Sequence, residues 1–140
     1  MRIERRFTRE GQSPYDGIEF RLATSEIRNP DGSQVFRLDN VEVPAHWSQV
    51  ATDILAQKYF RKAGVPQALK SVEENTVPSW LWRHEADEEA LAALPAEKRY
   101  GSELSAKQVF DRLAGAWTYW GWKGGYFDAE RDARAFFDEL

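Results

Sequence analysis

An α+β fold, mainly helical, with a small antiparallel hairpin followed by three to four helices, is predicted by three features of the 140-residue sequence. Ile18, Phe20 and Leu22 alternate with Glu19 and Arg21, the period of a half-buried strand. Residues 47–63 and 105–120 carry apolar residues three and four apart, the period of an amphipathic helix. Between the strand-like segments lies RNPDGS, a turn sequence. The length suits one unit over residues 1–140, with β structure in 17–43 and helices in 47–140. A hydrophobic content of 42% beside 30% charged residues suits a packed core and argues against disorder.

In chain order, GIEFRLAT is the first strand. In the turn, Pro30 and Asp31 take the centre and Gly32 is free to adopt positive φ, which fits a type I turn with a glycine bulge. QVFRLDNVEV resumes strand character and Pro44 ends it. The helix over 47–63 places Trp47, Val50, Ala51, Ile54, Leu55 and Ala63 on one stripe, with Lys58, Arg61 and Lys62 in its last turn and Gly64 and Pro66 as a stop. VPSWLWRHE reads as an extended or turn segment pinned by Trp80 and Trp82. DEEALAAL predicts a short helix between Asp87 and Pro95, and EKRYGSEL a loop. Ser105 and Gln108 form a capping box for a long helix. Its apolar face runs through Ala106, Val109, Phe110, Leu113, Ala114, Trp117 and Trp120 until Gly121, Gly124 and Gly125 end it. Asp128 is the expected cap of a third helix, with Ala133, Phe136, Phe137 and Leu140 on one face. That stripe is still running at Leu140, with no stop signal after it, which predicts a piece of something longer.

Composition narrows the chemistry. No cysteine is present, which excludes disulfides, thiolate metal sites and thiol chemistry carried by the chain itself. A net charge of −4 gives no general field for nucleic acid or an anionic membrane. The basic start, with Arg2, Arg5, Arg6 and Arg9, reads as a solvated charge run. MRIERRF lacks a signal-peptide core, and no apolar run approaches the ~18 residues of a membrane span, so a cytoplasmic location is expected. His46 and His84 stand apart from any metal-ligand spacing. The GxxGG of Gly121, Gly124 and Gly125 follows a helix instead of opening one, so it fails as a dinucleotide fingerprint. No residue merits a catalytic, cofactor or metal assignment.

One stretch is unusual. WTYWGWKGGYF, residues 117–127, holds six aromatic residues: Trp117, Tyr119, Trp120, Trp122, Tyr126 and Phe127. Stacking of a nucleobase or sugar is one use for such a cluster. Packing is the other, and it weighs more, because Trp117 and Trp120 extend the stripe already set by Phe110 and Leu113. Tyr119 and Trp122 lie off that stripe and need a second packing surface. These six are the candidate packing or interface residues.

WSQVATDILAQKYFRKAGVP, VPSWLWR and QVFDRLAGAWTYWGWKGGYFDAERDARAFFDEL, together with the SEIRNPDGS hairpin and the VEVP step, resemble the N-terminal region of the bacterial class II, adenosylcobalamin-dependent ribonucleotide reductases. The resemblance covers nearly the whole chain. It implies membership of an enzyme that replaces the ribonucleotide 2′-hydroxyl by hydrogen, using a thiyl radical generated with adenosylcobalamin and a reducing cysteine pair. None of those cysteines has a counterpart here, so the resemblance places the chemistry and the cobalamin in a downstream catalytic domain of the same polypeptide. The 140 residues are then expected to be inactive alone and to pack on that domain through the aromatic helix and elbow. A homodimer stays open, and neither nucleic acid nor a membrane is expected as a partner. The alternative is a stand-alone aromatic-rich module for a nucleobase, a sugar or a protein partner.

Overall fold

The computed structural model describes residues 1–140. Strands β1 (Phe20–Arg28) and β2 (Gln34–Pro44) pair antiparallel from Phe20 opposite Pro44 to Arg28 opposite Gln34. The turn is the one the sequence predicts: the Gly32 N–H donates to the Asn29 carbonyl at 2.8 Å, and Gly32 takes φ +87°. A second irregularity opposes Thr24 to Asp39 and Asn40, with Asn40 in the left-handed region at φ 57°. Asparagine tolerates that region better than most residues, and the Thr24 hydroxyl donates to Asp39 across it at 2.9 Å.

One face of the hairpin presents Val41 and Val43 to the core, both without exposed surface. Against them pack Leu55, Ala56 and Phe60 from the segment after the hairpin and Ala106 and Val109 from the long helix, with Trp47 edge-on to Phe110 at the margin. Each fully buried large apolar side chain contributes about 1.5–3 kcal/mol.

The first helical segment departs from the expected one. Helix α1 spans only Gln49–Ile54, and a wider π turn continues it over Leu55–Tyr59. Ser48 caps it by accepting from the Ala51 N–H, so Trp47 lies outside the helix. Phe60 leaves the helix in an extended conformation, which drives its ring into the core and ends the helix before Arg61 and Lys62. The buried stripe is Thr52, Leu55, Ala56 and Phe60, while Val50 and Ile54, expected to face inward, face solvent. Thr52 tolerates burial because its hydroxyl donates to the Ser48 carbonyl. Buried Glu103 completes the join. It accepts from the Arg61 N–H and from Arg112, whose guanidinium also donates to the Tyr59 carbonyl at 2.6 Å.

Residues 65–101 contain more order than the sequence indicated. Short pairs form between β3 (Val65–Pro66) and β6 (Tyr100–Gly101), and between β4 (Leu69–Ser71) and β5 (His84–Ala86). Two 3₁₀ turns, Ser79–Leu81 and Ala96–Lys98, and helix α2 (Glu88–Ala92) fill the rest, so EKRYGSEL is only partly loop. The short helix stands where it was expected, with Asp87 as its N-cap, and Arg99 donates to the carbonyls of Ala92 and Leu94 at its far end.

Helix α3 (Ala106–Lys123) carries the predicted capping box on Ser105 and Gln108. It is seated on β2 by the Glu42 N–H donating to the Leu104 carbonyl and the Ser105 hydroxyl donating to Glu42. Helix α4 (Glu130–Glu139) packs on α3. Its N-cap is Ala129, without a side-chain bond, and not Asp128. The Asp128 carboxylate is taken by the Met1 ammonium instead.

That contact belongs to a larger correction. The basic start is not a free solvated run. Ile3 N–H donates to Asp132, Arg5 pairs with buried Asp138 at 2.8 Å, and the N–H groups of Arg6, Phe7 and Thr8 converge on Glu139. The Thr8 hydroxyl, followed by those backbone donors, lowers the Glu139 pKa from its ordinary 4.5 to about 2. A folded pKa below the unfolded one stabilises the fold above pH 4.5, and the contribution is lost as pH falls from 4.5 towards 2. Glu139→Gln is therefore expected to lower the thermal midpoint at pH 7 and to match the parent near pH 2, as measured by melts across that range.

Candidate functional site

Helix α3 is about 27 Å long, and neighbouring residues along it turn by about 100°. Ala106, Val109, Leu113, Trp117 and Trp120 therefore fall on one side. The hairpin and Phe60 cover the first two turns of that side, where Ala106 and Val109 are buried and Leu113 is partly so. The helix then runs past them. Trp117 and Trp120, at the same azimuth, are 46% and 64% exposed, so the burial expected from the continuous stripe stops at Leu113.

The opposite flank of α3 has found its second surface in residues 74–77. Tyr119 donates its hydroxyl to Glu74 at 2.8 Å, and Lys123 reaches the other oxygen of the same carboxylate. The Trp122 indole N–H donates to the Thr76 carbonyl at 2.7 Å. From the other side the Trp82 N–H donates to the Val77 carbonyl at 2.9 Å. Lys123, then Tyr119, hold the Glu74 carboxyl below its usual range, and Glu74 in turn raises the Lys123 ammonium. The segment has no regular secondary structure, so side-chain donors substitute for a backbone ladder. Glu74 carries no periodic or motif signal, and the sequence reading missed it.

The elbow after α3 is a Schellman cap. The Tyr126 N–H returns to the Gly121 carbonyl, the Gly125 N–H to the Trp122 carbonyl, and Gly125 sits at φ 69°. A Cβ on Gly121 would stand 2.8 Å from the Phe127 ring, so glycine lets Phe127 fold back against α3 and meet Phe136 at 5.4 Å. Tyr126 is thrown outward and 65% exposed. The six aromatic residues thus divide: Tyr119, Trp122 and Phe127 are half-buried and held by partners, while Trp117, Trp120 and Tyr126 face out.

The family model described as class II vitamin B12-dependent ribonucleotide reductase matches residues 21–140. The chain belongs to that family. Vitamin B12-dependent ribonucleotide reductases of Bradyrhizobium diazoefficiens and Agrobacterium fabrum are 74% and 71% identical to it over all 140 residues. A more distant relative of the same description, from Streptomyces coelicolor, is 30% identical and also spans the whole chain. The chain covers 11% of the length of each of these three proteins. It is the N-terminal portion of a class II reductase.

The reductase name implies a cobalamin, and the donor set of these residues can be tested against it. His46 and His84 are both exposed and lie on separate elements, and His84 faces only the Ser71 hydroxyl. No three His, Cys, Asp or Glu side chains converge as a metal site would need. An open groove of about 520 Å³ runs between residues 7–20 and the α3–α4 pair, walled by Tyr15, Phe20, Phe110 and Phe137 and without a histidine. These residues do not build a seat for the corrin. No helix is long and apolar enough to cross a membrane.

Gly125→Ala forces a side chain into the left-handed region and is expected to destabilise the fold by about 1–2 kcal/mol in urea unfolding, without altering the folded-state circular dichroism.

Proposed function

We propose that residues 1–140 act as one N-terminal, non-catalytic unit of an adenosylcobalamin-dependent ribonucleotide reductase. In this reading the full-length protein converts ribonucleotides to 2′-deoxyribonucleotides in the cytoplasm. Trp117, Trp120 and Tyr126 dock on the catalytic domain of the same polypeptide, with Tyr119, Trp122 and Phe127 fixing the helix and elbow that carry them. The observation that carries the reading is the apolar stripe of α3, which continues uncovered for two turns beyond the hairpin. Soluble proteins seldom leave two neighbouring indoles in water without a partner. The length of the relatives supports the choice of partner, since 11% coverage leaves most of each reductase to supply one. Absence of cysteine supports the non-catalytic role, because thiyl chemistry needs a thiol that this chain does not have.

The test compares two settings. In the 140-residue chain, Trp120→Ala is expected to change stability by less than about 0.5 kcal/mol, as an exposed substitution does. In the full-length reductase the same change is expected to cost about 3–5 kcal/mol, as a core tryptophan does. Equal effects in both settings would refute docking by this face. Concentration-dependent dimerisation of the short chain abolished by Trp120→Ala would assign the face to a second copy, and saturable quenching by nucleotides would assign it to a ligand.

A further inference from the structure

We infer that residues 1–8 form a strap that opens from α4 as one unit while the rest of the fold stays closed. Every polar bond joining these residues to the remainder ends within residues 126–139: the Tyr126 carbonyl, the Asp128 carboxylate and N–H, Asp132, Asp138 and Glu139. Asp132 and Glu139 are seven residues apart, which puts them on one line along α4, and Asp128 lies just before the N-cap of that helix. Ala135, only 3% exposed, lies between Asp132 and Glu139 and is small enough to let an extended chain approach. The strap lies along that line, giving its backbone N–H groups to the carboxylates.

What it lacks is an apolar anchor. Ile3, Arg5 and Thr8 are partly buried, no strap side chain is fully so, and Phe7 is 89% exposed. The latch is polar and charged, so its release needs little apolar surface to be hydrated and is promoted by salt. The closed state also carries a cost beneath it. Asp132 and Asp138 are buried, and one oxygen of each accepts no hydrogen bond, although Arg134 lies 3.2 Å from that of Asp138. Opening gives water to both carboxylates, which offsets part of the lost contacts. It also withdraws Phe7 and Thr8 from the edge of the aromatic groove, whose remaining lining stays in place.

Amide hydrogen exchange and limited trypsin digestion of the 140-residue chain test this. Glu139→Ala removes the acceptor shared by Arg6, Phe7 and Thr8. It is expected to raise exchange of the Ile3, Phe7 and Thr8 amides together, and trypsin cleavage after Arg6, by at least about tenfold, because hydrogen bonds to a charged group are the stronger class. The Val41, Val43 and Val109 amides are expected to stay far better protected than the strap amides in the parent and in the variant. Thr8→Val, which removes a strap donor and leaves α4 unaltered, is expected to produce the same pattern at smaller amplitude. Acceleration of Phe7 and Thr8 without Ile3 would overturn opening as a unit. Strap amides as well protected as the core in the parent, or no acceleration in either variant, would overturn the strap altogether.

Discussion

The first two turns of α3 lie flat on β2, with Ala106 and Val109 against Val41 and Val43, and the other elements take their positions from that contact. Small residues at 106 and 109 bring the helix close to the sheet, and the Glu42–Leu104 and Glu42–Ser105 bonds set its register along the strand. With that end fixed, the far end of an 18-residue helix must project beyond a two-stranded sheet. Uncovered Trp117 and Trp120 follow from this mismatch of lengths. The same projection gives α4 and residues 74–77 a surface to pack on. Glu103 and Arg112 then tie the π turn after α1 to the same helix, so one element organises both halves of the chain.

Local signals made much of this legible. The hairpin turn, the Ser105 capping box, the short helix after Asp87 and the glycine-terminated α3 each depend on residues adjacent in sequence, and each was found where the chemistry pointed. Failures came where a distant group competed. Asp128 has the chemistry of a helix cap, but an ammonium from the far end of the chain takes its carboxylate. Val50 and Ile54 have the spacing of a core stripe, yet the face that packs inward runs through Thr52, Leu55 and Ala56, and the widened turn carries it on to Phe60. Arg5 looked like part of a solvated run because its partner, Asp138, is 133 positions away. The division of the aromatic cluster into held and outward-facing halves depends on Glu74 and Thr76, which no periodicity marks.

Membership of the reductase family gives the outward half a context without altering the geometry. The chain has no cysteine and no converging set of metal donors, and its surface offers a helix, a capped elbow and a line of indoles. Residues 74–77 support that helix. Three donors from α3 and one from Trp82 hold a stretch that has no ladder of its own, so the tip of α3 is braced on one side and bare on the other.

The pairing of residues 1–8 with 126–139 has a consequence for the order of assembly. Its bonds join positions 125 to 133 apart in sequence, the longest separations in the molecule. Closing so long a loop is entropically costly until the hairpin, α3 and α4 have already brought the ends together. The strap is thus the last element to form, and its contacts are absent from the transition state for folding. Interactions of that kind leave the folding rate unchanged and slow the unfolding rate. By that argument the first eight residues act on how long the assembled fold lasts more than on how fast it is reached.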